Sequence, residues 1–249
     1  MKYIYTKSSK SYPMERISTG IPPLDEEIDG GLPKNKSFLV TGTPGSGKTL
    51  FGMHILDQAC REGKRCILVA TEESKEDIVQ EAGIFRFEYD RYMDEKLLTI
   101  SKVLEIRTQN TTAASNLISG LSVSEIEILG IADIIPDNVD IAVIDNLGVF
   151  VLGMSPRDFR NQFDTLNLLL ARKNVTVVYI LDEAANEMTG GVADYSTYGS
   201  FRFLVKENPY TSKMERFIYV PKMRGTNISL NPRKFTITDE GIRMLGVSE

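Results

Sequence analysis

The chain has 249 residues, 42% hydrophobic and 25% charged, a soluble-globular composition that excludes intrinsic disorder, collagen and coiled-coil fibres. Its net charge of −5 argues against a protein that coats DNA constitutively. Two cysteines, Cys60 and Cys66, cannot build a disulfide framework and match no zinc-ligand spacing, so a reducing, cytoplasmic setting is expected. Met1–Ser11 is polar and basic without an apolar stretch, which predicts no secretory signal, and no apolar run reaches bilayer length.

Taken in chain order, residues 1–15 read as a tail without a pattern. Ile17–Asp25 and Gly30–Pro33 enclose one short helical segment between Gly and Pro turns. Ser37–Thr41 is an apolar strand that stops at a glycine-rich loop, and Thr49–Arg61 has helical spacing ending at Gly63. A strand is expected over Cys66–Ala70, a polar helix from Ser74, and a third strand over Leu97–Ile100. Residues 101–121 carry no clear pattern, whereas Ser124–Ile134 shows helical periodicity with Ser122 or Ser124 as its cap. Ile141–Ile144 is a continuous apolar strand. Ser155-Pro156-Arg157-Asp158 is a helix start for a helix reaching about Lys173, and Val175–Leu181 is a further buried strand. Phe201–Lys206 and Arg216–Val220 alternate with period two around Asn208-Pro209, and Phe235–Thr238 with Ile242–Leu245 flank Asp239-Glu240-Gly241, giving two hairpins. Buried strands alternating with helices predict one α/β domain over 16–249, with a mostly parallel sheet covered on both faces and a β-rich C-terminal end.

Gly42-Thr43-Pro44-Gly45-Ser46-Gly47-Lys48-Thr49 fits the phosphate-loop pattern G-x-x-x-x-G-K-[ST]. Gly45 and Gly47 lack a Cβ, so successive backbone N–H groups can converge on nucleotide phosphates. The helix that follows points its positive end at the same anion. Lys48 can reach the β- and γ-phosphates, and the Thr49 hydroxyl can ligate Mg²⁺. Thr43, Pro44, Gly45, Ser46, Gly47, Lys48, Thr49 and Leu50 are therefore the expected ATP-binding residues, with Lys48 also acting in catalysis.

Three further groups are expected at C-terminal strand ends, where ligands sit in open α/β sheets. Asp145, after Ile141–Ile144, would join Thr49 in holding Mg²⁺, although Asp145-Asn146 is also good turn chemistry. One of the pair Glu72 and Glu73, after Cys66–Thr71, would orient and deprotonate water, with helix-dipole acids as the alternative. Lys222 and Arg224, after the strand ending at Val220, point the same way in an extended chain and would meet one phosphate, the alternative being a solvated basic turn.

Ile17–Asp25 with Gly30–Pro33, the phosphate loop, Val69–Ser74, Val143–Asn146, Lys222–Thr226 and Phe235–Ile242 together resemble the KaiC-like branch of the RecA-superfamily ATPases. That branch includes the single-domain archaeal RadA paralogues (RadC-like). The resemblance covers nearly everything after the first 15 residues. It implies a RecA-like P-loop core hydrolysing ATP to ADP and phosphate, with a catalytic carboxylate pair at Glu72 and Glu73 and a magnesium-associated aspartate at Asp145. It also implies that Lys222 and Arg224 reach the γ-phosphate of the adjacent subunit in a homo-oligomeric ring or filament. Two departures stand out: Asn146 replaces the usual Ser or Thr, and Asp182-Glu183 stands where many relatives carry a polar γ-phosphate sensor.

Residues 184–200 correspond to the loop with which recombinases touch DNA, yet they hold Glu187 and Asp194 and no Lys or Arg. Tyr195 and Tyr198 there are read as core or interface residues, with base stacking as the alternative. Only a short tail precedes Arg16, so no N-terminal DNA-binding module is expected. Phe201–Glu249 carries nine Lys/Arg against five Asp/Glu, a local +4 that leaves −9 on the remainder. Three functions follow: an oligomeric accessory in DNA repair or recombination with weak single-stranded DNA binding, a KaiC-like regulator of a protein partner, or a small-molecule phosphotransferase. The last is disfavoured because no arginine-rich lid is present. His54 and the two cysteines read as structural.

Overall fold

The computed structural model describes residues 14–103, 128–151, 154–182 and 187–245. In chain order these form β1 (Arg16–Ile17), α1 (Pro22–Glu27), β2 (Leu32–Pro33), β3 (Ser37–Gly42), α2 (Lys48–Arg61) and β4 (Cys66–Ala70). Next come α3 (Lys75–Ile84), α4 (Tyr89–Asp94), β5 (Leu98–Lys102), α5 (Ile131–Ile134), β6 (Ile141–Asp145), α6 (Gly148–Val151) and α7 (Pro156–Arg172). The chain then runs through β7 (Thr176–Asp182), α8 (Glu187–Ser196), β8 (Gly199–Glu207), β9 (Met214–Met223), β10 (Arg233–Thr238) and β11 (Gly241–Met244).

Nine strands make one sheet in the order β11-β10-β9-β8-β3-β7-β6-β4-β5, parallel from β8 to β5 and antiparallel from β8 outward to β11. The fold is the expected α/β P-loop architecture, with both C-terminal hairpins in place. Along β3, Phe38 and Val40 enter the core under α2, while Leu39 enters the core under α7. Along β6, Ile141 and Val143 face the first side, and Ala142 and Ile144 the second. Period-two alternation with both faces apolar is what a sheet covered by helices on each side requires.

Two helix starts follow their capping residues: Ser74 accepts from the Asp77 N–H at 3.1 Å, and Ser155 accepts from the Asp158 N–H at 3.2 Å. The anticipated cap at Ser122 or Ser124 lies outside the described residues. After it the chain makes a single 3₁₀ turn at Ile128–Gly130 before α5. The segment read as a loop over 184–200 contains α8, a ten-residue helix. No helix among the described residues is long and apolar enough to cross a membrane.

Candidate active site

The phosphate loop leaves the C-terminal end of β3 and turns directly into α2. Its backbone needs glycine at two places. Gly47 caps α2 with φ of 105°, and at Gly42, φ 154°, an added Cβ would sit 2.4 Å from the Phe203 carbonyl oxygen. Thr43, Pro44 and Gly45 form the exposed tip, Ser46 and Lys48 are buried behind it, and Leu50 turns into the core. Ser46 N–H donates to the Thr43 carbonyl at 3.2 Å, closing the tip into a tight turn.

Lys48, only 6% exposed, donates to the Thr43 carbonyl at 2.9 Å and pairs with Asp182 Oδ1 at 2.7 Å. The other oxygen of Asp182 accepts from Asn146 Nδ2 at 2.8 Å. Asn146 is further fixed because its N–H donates to Thr71 Oγ1 at 2.9 Å and its Oδ1 accepts from Gly148 N–H at 2.8 Å. Turn chemistry at this strand end thus falls to Asn146, leaving Asp145 for another task. The Asp145–Asn146 peptide is cis.

Asp145 ends β6 and accepts a hydrogen bond from the Thr49 hydroxyl. Burial pushes its carboxyl up to about 6, Glu73 and Asp182 add to the rise, and Thr49 and Lys48 oppose it. Glu72 and Glu73 lie in the exposed turn between β4 and α3, ahead of the Ser74 cap, and the first-turn acids are Glu76 and Asp77. The helix-dipole explanation for the pair therefore does not hold. Glu73 lines both the cleft at the phosphate loop and the cleft around Asp145, whereas Glu72 lines only the latter. Partial burial raises the Glu73 carboxyl above its ordinary value, and Asp77 and Glu72 add to this.

Lys222 and Arg224 do not join this cluster. The strand runs to Met223 rather than ending at Val220, and it is antiparallel to β8, with Met223 opposite Gly199 and Gly199 beside Phe38. Its C-terminal end therefore lies at the start of β3, the opposite edge of the sheet from the phosphate loop. The expectation of a shared edge is corrected by strand direction alone. There Lys222 Nζ hydrogen-bonds the Asp194 carbonyl, and Arg224 donates to the Tyr195 carbonyl at 3.2 Å. Burial lowers the Lys222 ammonium from its ordinary value, with Asp194 opposing.

Sequence reasoning noted Asp182 and Asn146 only as departures, without their link to Lys48. It missed Arg216, whose Nε donates to the Gly45 carbonyl at 3.2 Å from β9. A contact between residues so far apart in the chain leaves no local signal. Tyr195 is exposed, with the Arg160 guanidinium 5.1 Å from its ring centroid, and Tyr198 meets Phe38 edge-on at 6.4 Å.

The oxygen donors Thr49 and Asp145 suit Mg²⁺, which completes its shell with phosphate oxygens and water rather than with an all-protein cage. No group of three or more His, Cys, Asp or Glu able to hold a metal occurs among the described residues.

A family profile described as ATPase: KaiC matches residues 17–249. The chain belongs to the KaiC ATPase family. It is 30% identical over 246 residues to a UPF0273 protein of Methanopyrus kandleri, covering 93% of this chain and 92% of that one. It is also 30% identical over 230 residues to the circadian clock oscillator protein KaiC of Prochlorococcus marinus, of which it spans 43%. A crystal structure of a KaiC-like protein from Pyrococcus horikoshii shares the fold, with a TM-score of 0.73 at 24% identity over 94% of this chain and all of that one.

Proposed function

We propose that this KaiC-family protein binds ATP with Mg²⁺ at the phosphate loop and hydrolyses it to ADP and phosphate, as a homo-oligomer whose nucleotide state controls a protein partner. The observation that carries this reading is the convergence of Lys48, Thr49, Asp145 and Glu73 at one sheet edge. Backbone N–H groups over Thr43–Leu50 hold the phosphates, with Lys48 on the β- and γ-groups. Thr49 and Asp145 hold Mg²⁺, which supplies charge neutralisation between the phosphates.

Glu73 is the better placed of the two acids to take the proton from an attacking water. It borders both clefts, and its raised carboxyl moves toward the range a general base uses near neutrality. Lys222 and Arg224, at the far edge of their own subunit, serve the pocket of a neighbour. The family and the absence of Lys and Arg from residues 184–200 favour a regulatory role over one in DNA repair or recombination. The +4 C-terminal segment favours the DNA role. A titration with single-stranded DNA separates the two. The regulatory reading expects weak binding lost by moderate salt, and tight binding that survives salt would establish the DNA role.

The test of hydrolysis compares two variants. Lys48→Ala should lose most ATP hydrolysis. Glu73→Gln should retain nucleotide binding while cleavage slows by roughly 10²–10⁴-fold, the range for a positioned acid or base. Wild-type rates in Lys48→Ala would remove the phosphate-loop assignment. A normal rate in Glu73→Gln beside a slow Glu72→Gln would move the base to Glu72.

A further inference from the structure

The antiparallel end of the sheet comes up against the phosphate loop, and two of the loop's glycines record how closely. A Cβ at Gly42 would lie 2.4 Å from the Phe203 carbonyl oxygen of β8, and one at Gly47 would lie 3.6 Å from the Phe235 ring of β10. Strand β9 runs between these two strands. Its residue Arg216 stands opposite Val205 on β8 and opposite Phe235 on β10. Residues directly opposite in an antiparallel pair share a face, and Phe235 packs into the core on the α2 side. The Arg216 side chain therefore leaves the sheet on the face that carries the loop and α2. There its Nε donates to the Gly45 carbonyl at 3.2 Å.

Nothing in the chain answers the charge of this guanidinium. Lys48 pairs with Asp182, Lys234 with Glu215 and Arg233 with Glu27, whereas half-buried Arg216 has no carboxylate partner among the described residues. Glu215, its neighbour in the strand, points to the other face, where it takes Lys234 and also accepts from Asn208 Nδ2 at 3.0 Å. The Gly45 carbonyl occupies Nε and leaves the Nη hydrogens of a planar donor fork that matches phosphate oxygens. In the sheet, β9 and β6 lie two strands from β3 on opposite sides, so Arg216 and Asp145 flank the loop from opposite directions.

We propose that Arg216 is a second cation for the polyphosphate bound at its own chain's loop. It keeps Nε on the Gly45 carbonyl and donates from Nη to the β- and γ-phosphate oxygens. The proposal rests on nucleotide binding at this loop and adds a residue to it. Arg216 differs from Lys222 and Arg224 in the pocket it serves. Lys222 follows it by six residues along β9, roughly 20 Å, so one strand gives Arg216 to its own loop and carries Lys222 to the far edge.

The experiment titrates magnesium ATP, and magnesium tripolyphosphate, which has neither base nor ribose, into the full chain and its variants at fixed ionic strength. It reads equilibrium binding rather than hydrolysis. Arg216→Gln keeps an N–H for the Gly45 carbonyl without the charge, and it should weaken both ligands by the same factor, roughly 10–100-fold, as expected for hydrogen bonds to a charged group. Arg216→Lys restores the charge and should bind both ligands more tightly than Arg216→Gln. Lys48→Ala reports on the loop itself. Weakened binding in Lys48→Ala beside wild-type affinity in Arg216→Gln would overturn this proposal alone, and wild-type affinity in both would overturn the loop assignment as well. Tripolyphosphate untouched where ATP is weakened, or a lysine variant no better than the glutamine one, would also overturn the phosphate contact. Hydrolysis by mixed assemblies tests which chain's nucleotide Arg216 meets. Arg216→Gln subunits should recover activity with Arg224→Ala partners and not with Lys48→Ala partners, because their defect lies in the pocket. The reverse pattern would assign Arg216 to a neighbour's nucleotide and overturn the same-chain contact.

Discussion

Lys48 has two partners within its own chain, the Thr43 carbonyl and the Asp182 carboxylate, before any phosphate arrives. A buried ammonium needs such partners, because stripping its hydration without compensation costs several kcal/mol. On the proposed function, the phosphates of ATP would offer Lys48 a stronger counter-charge, and two anions would then face one cation beside Asp145. Asp182 would thereby be both a prop for the loop and a competitor of the nucleotide. Asp182→Asn should destabilise the nucleotide-free protein by about 1–3 kcal/mol, discounted from the fully buried case because Asp182 is one-third exposed. It should also show a larger thermal upshift with Mg²⁺ and ATP than wild type. Thermal denaturation with and without nucleotide checks both, and an equal or smaller upshift would mean that Asp182 does not compete. In the sequence, Asp182 is legible as an acid at a strand end and as a departure from the resembling family, but not as a partner of Lys48. Its pairing with Lys48 depends on β7 lying beside β3, which no local pattern encodes.

Among the elements, β11 packs on α2 in the core and is tied to it by a side-chain hydrogen bond. His54 Nε2 accepts the Ile242 N–H at 2.6 Å, its ring meets Phe87 edge-on at 4.9 Å, and a Cβ at Gly241 would sit 2.1 Å from Nε2. The acceptor nitrogen must be unprotonated, and burial followed by the nearby Arg61 charge lowers the imidazole from 6.5 to about 4. A histidine that resists protonation only when folded leaves stability intact above pH 6.5. As pH falls from 6.5 to about 4 the unfolded chain takes up the proton first, so up to about 3 kcal/mol is lost across that window. Denaturant unfolding at several pH values should show this slope, and His54→Gln, which keeps an acceptor without the proton, should flatten it. An unchanged slope in the variant would assign the loss to other groups.

Most elements are readable in the sequence because their signals are local. Ser155-Pro156 with Asp158 starts α7 as expected, and both hairpins follow their turn residues. Helix α8 is the instructive exception. Gly190-Gly191 is poor helix material, and packing of the segment against α7 and β3 overrides that preference. The placement of Lys222 is a different kind of failure. The strand itself is legible, but its direction in the sheet decides which edge receives the lysine, and direction is a property of topology.

At the scale of the whole molecule, the two halves of the proposed machinery lie on opposite edges of one sheet. The phosphate loop, Asp145 and Glu73 are at the C-terminal ends of the parallel strands, and Lys222 and Arg224 are at the other end. A single chain cannot bring them together without dismantling β8 and β9, whereas a ring or filament brings the far edge of one copy to the near edge of the next. An arginine supplied in this way can contribute 10³–10⁵ in rate. A mixing experiment tests this arrangement directly. Lys48→Ala subunits have an intact Arg224 and no working pocket, and Arg224→Ala subunits have the reverse, so each alone should hydrolyse ATP slowly. Mixed assemblies should recover activity well above the sum of the two, and wild-type specific activity should rise with protein concentration until assembly saturates. A mixture no more active than its parts, together with full-rate hydrolysis by dilute monomers, would contradict it.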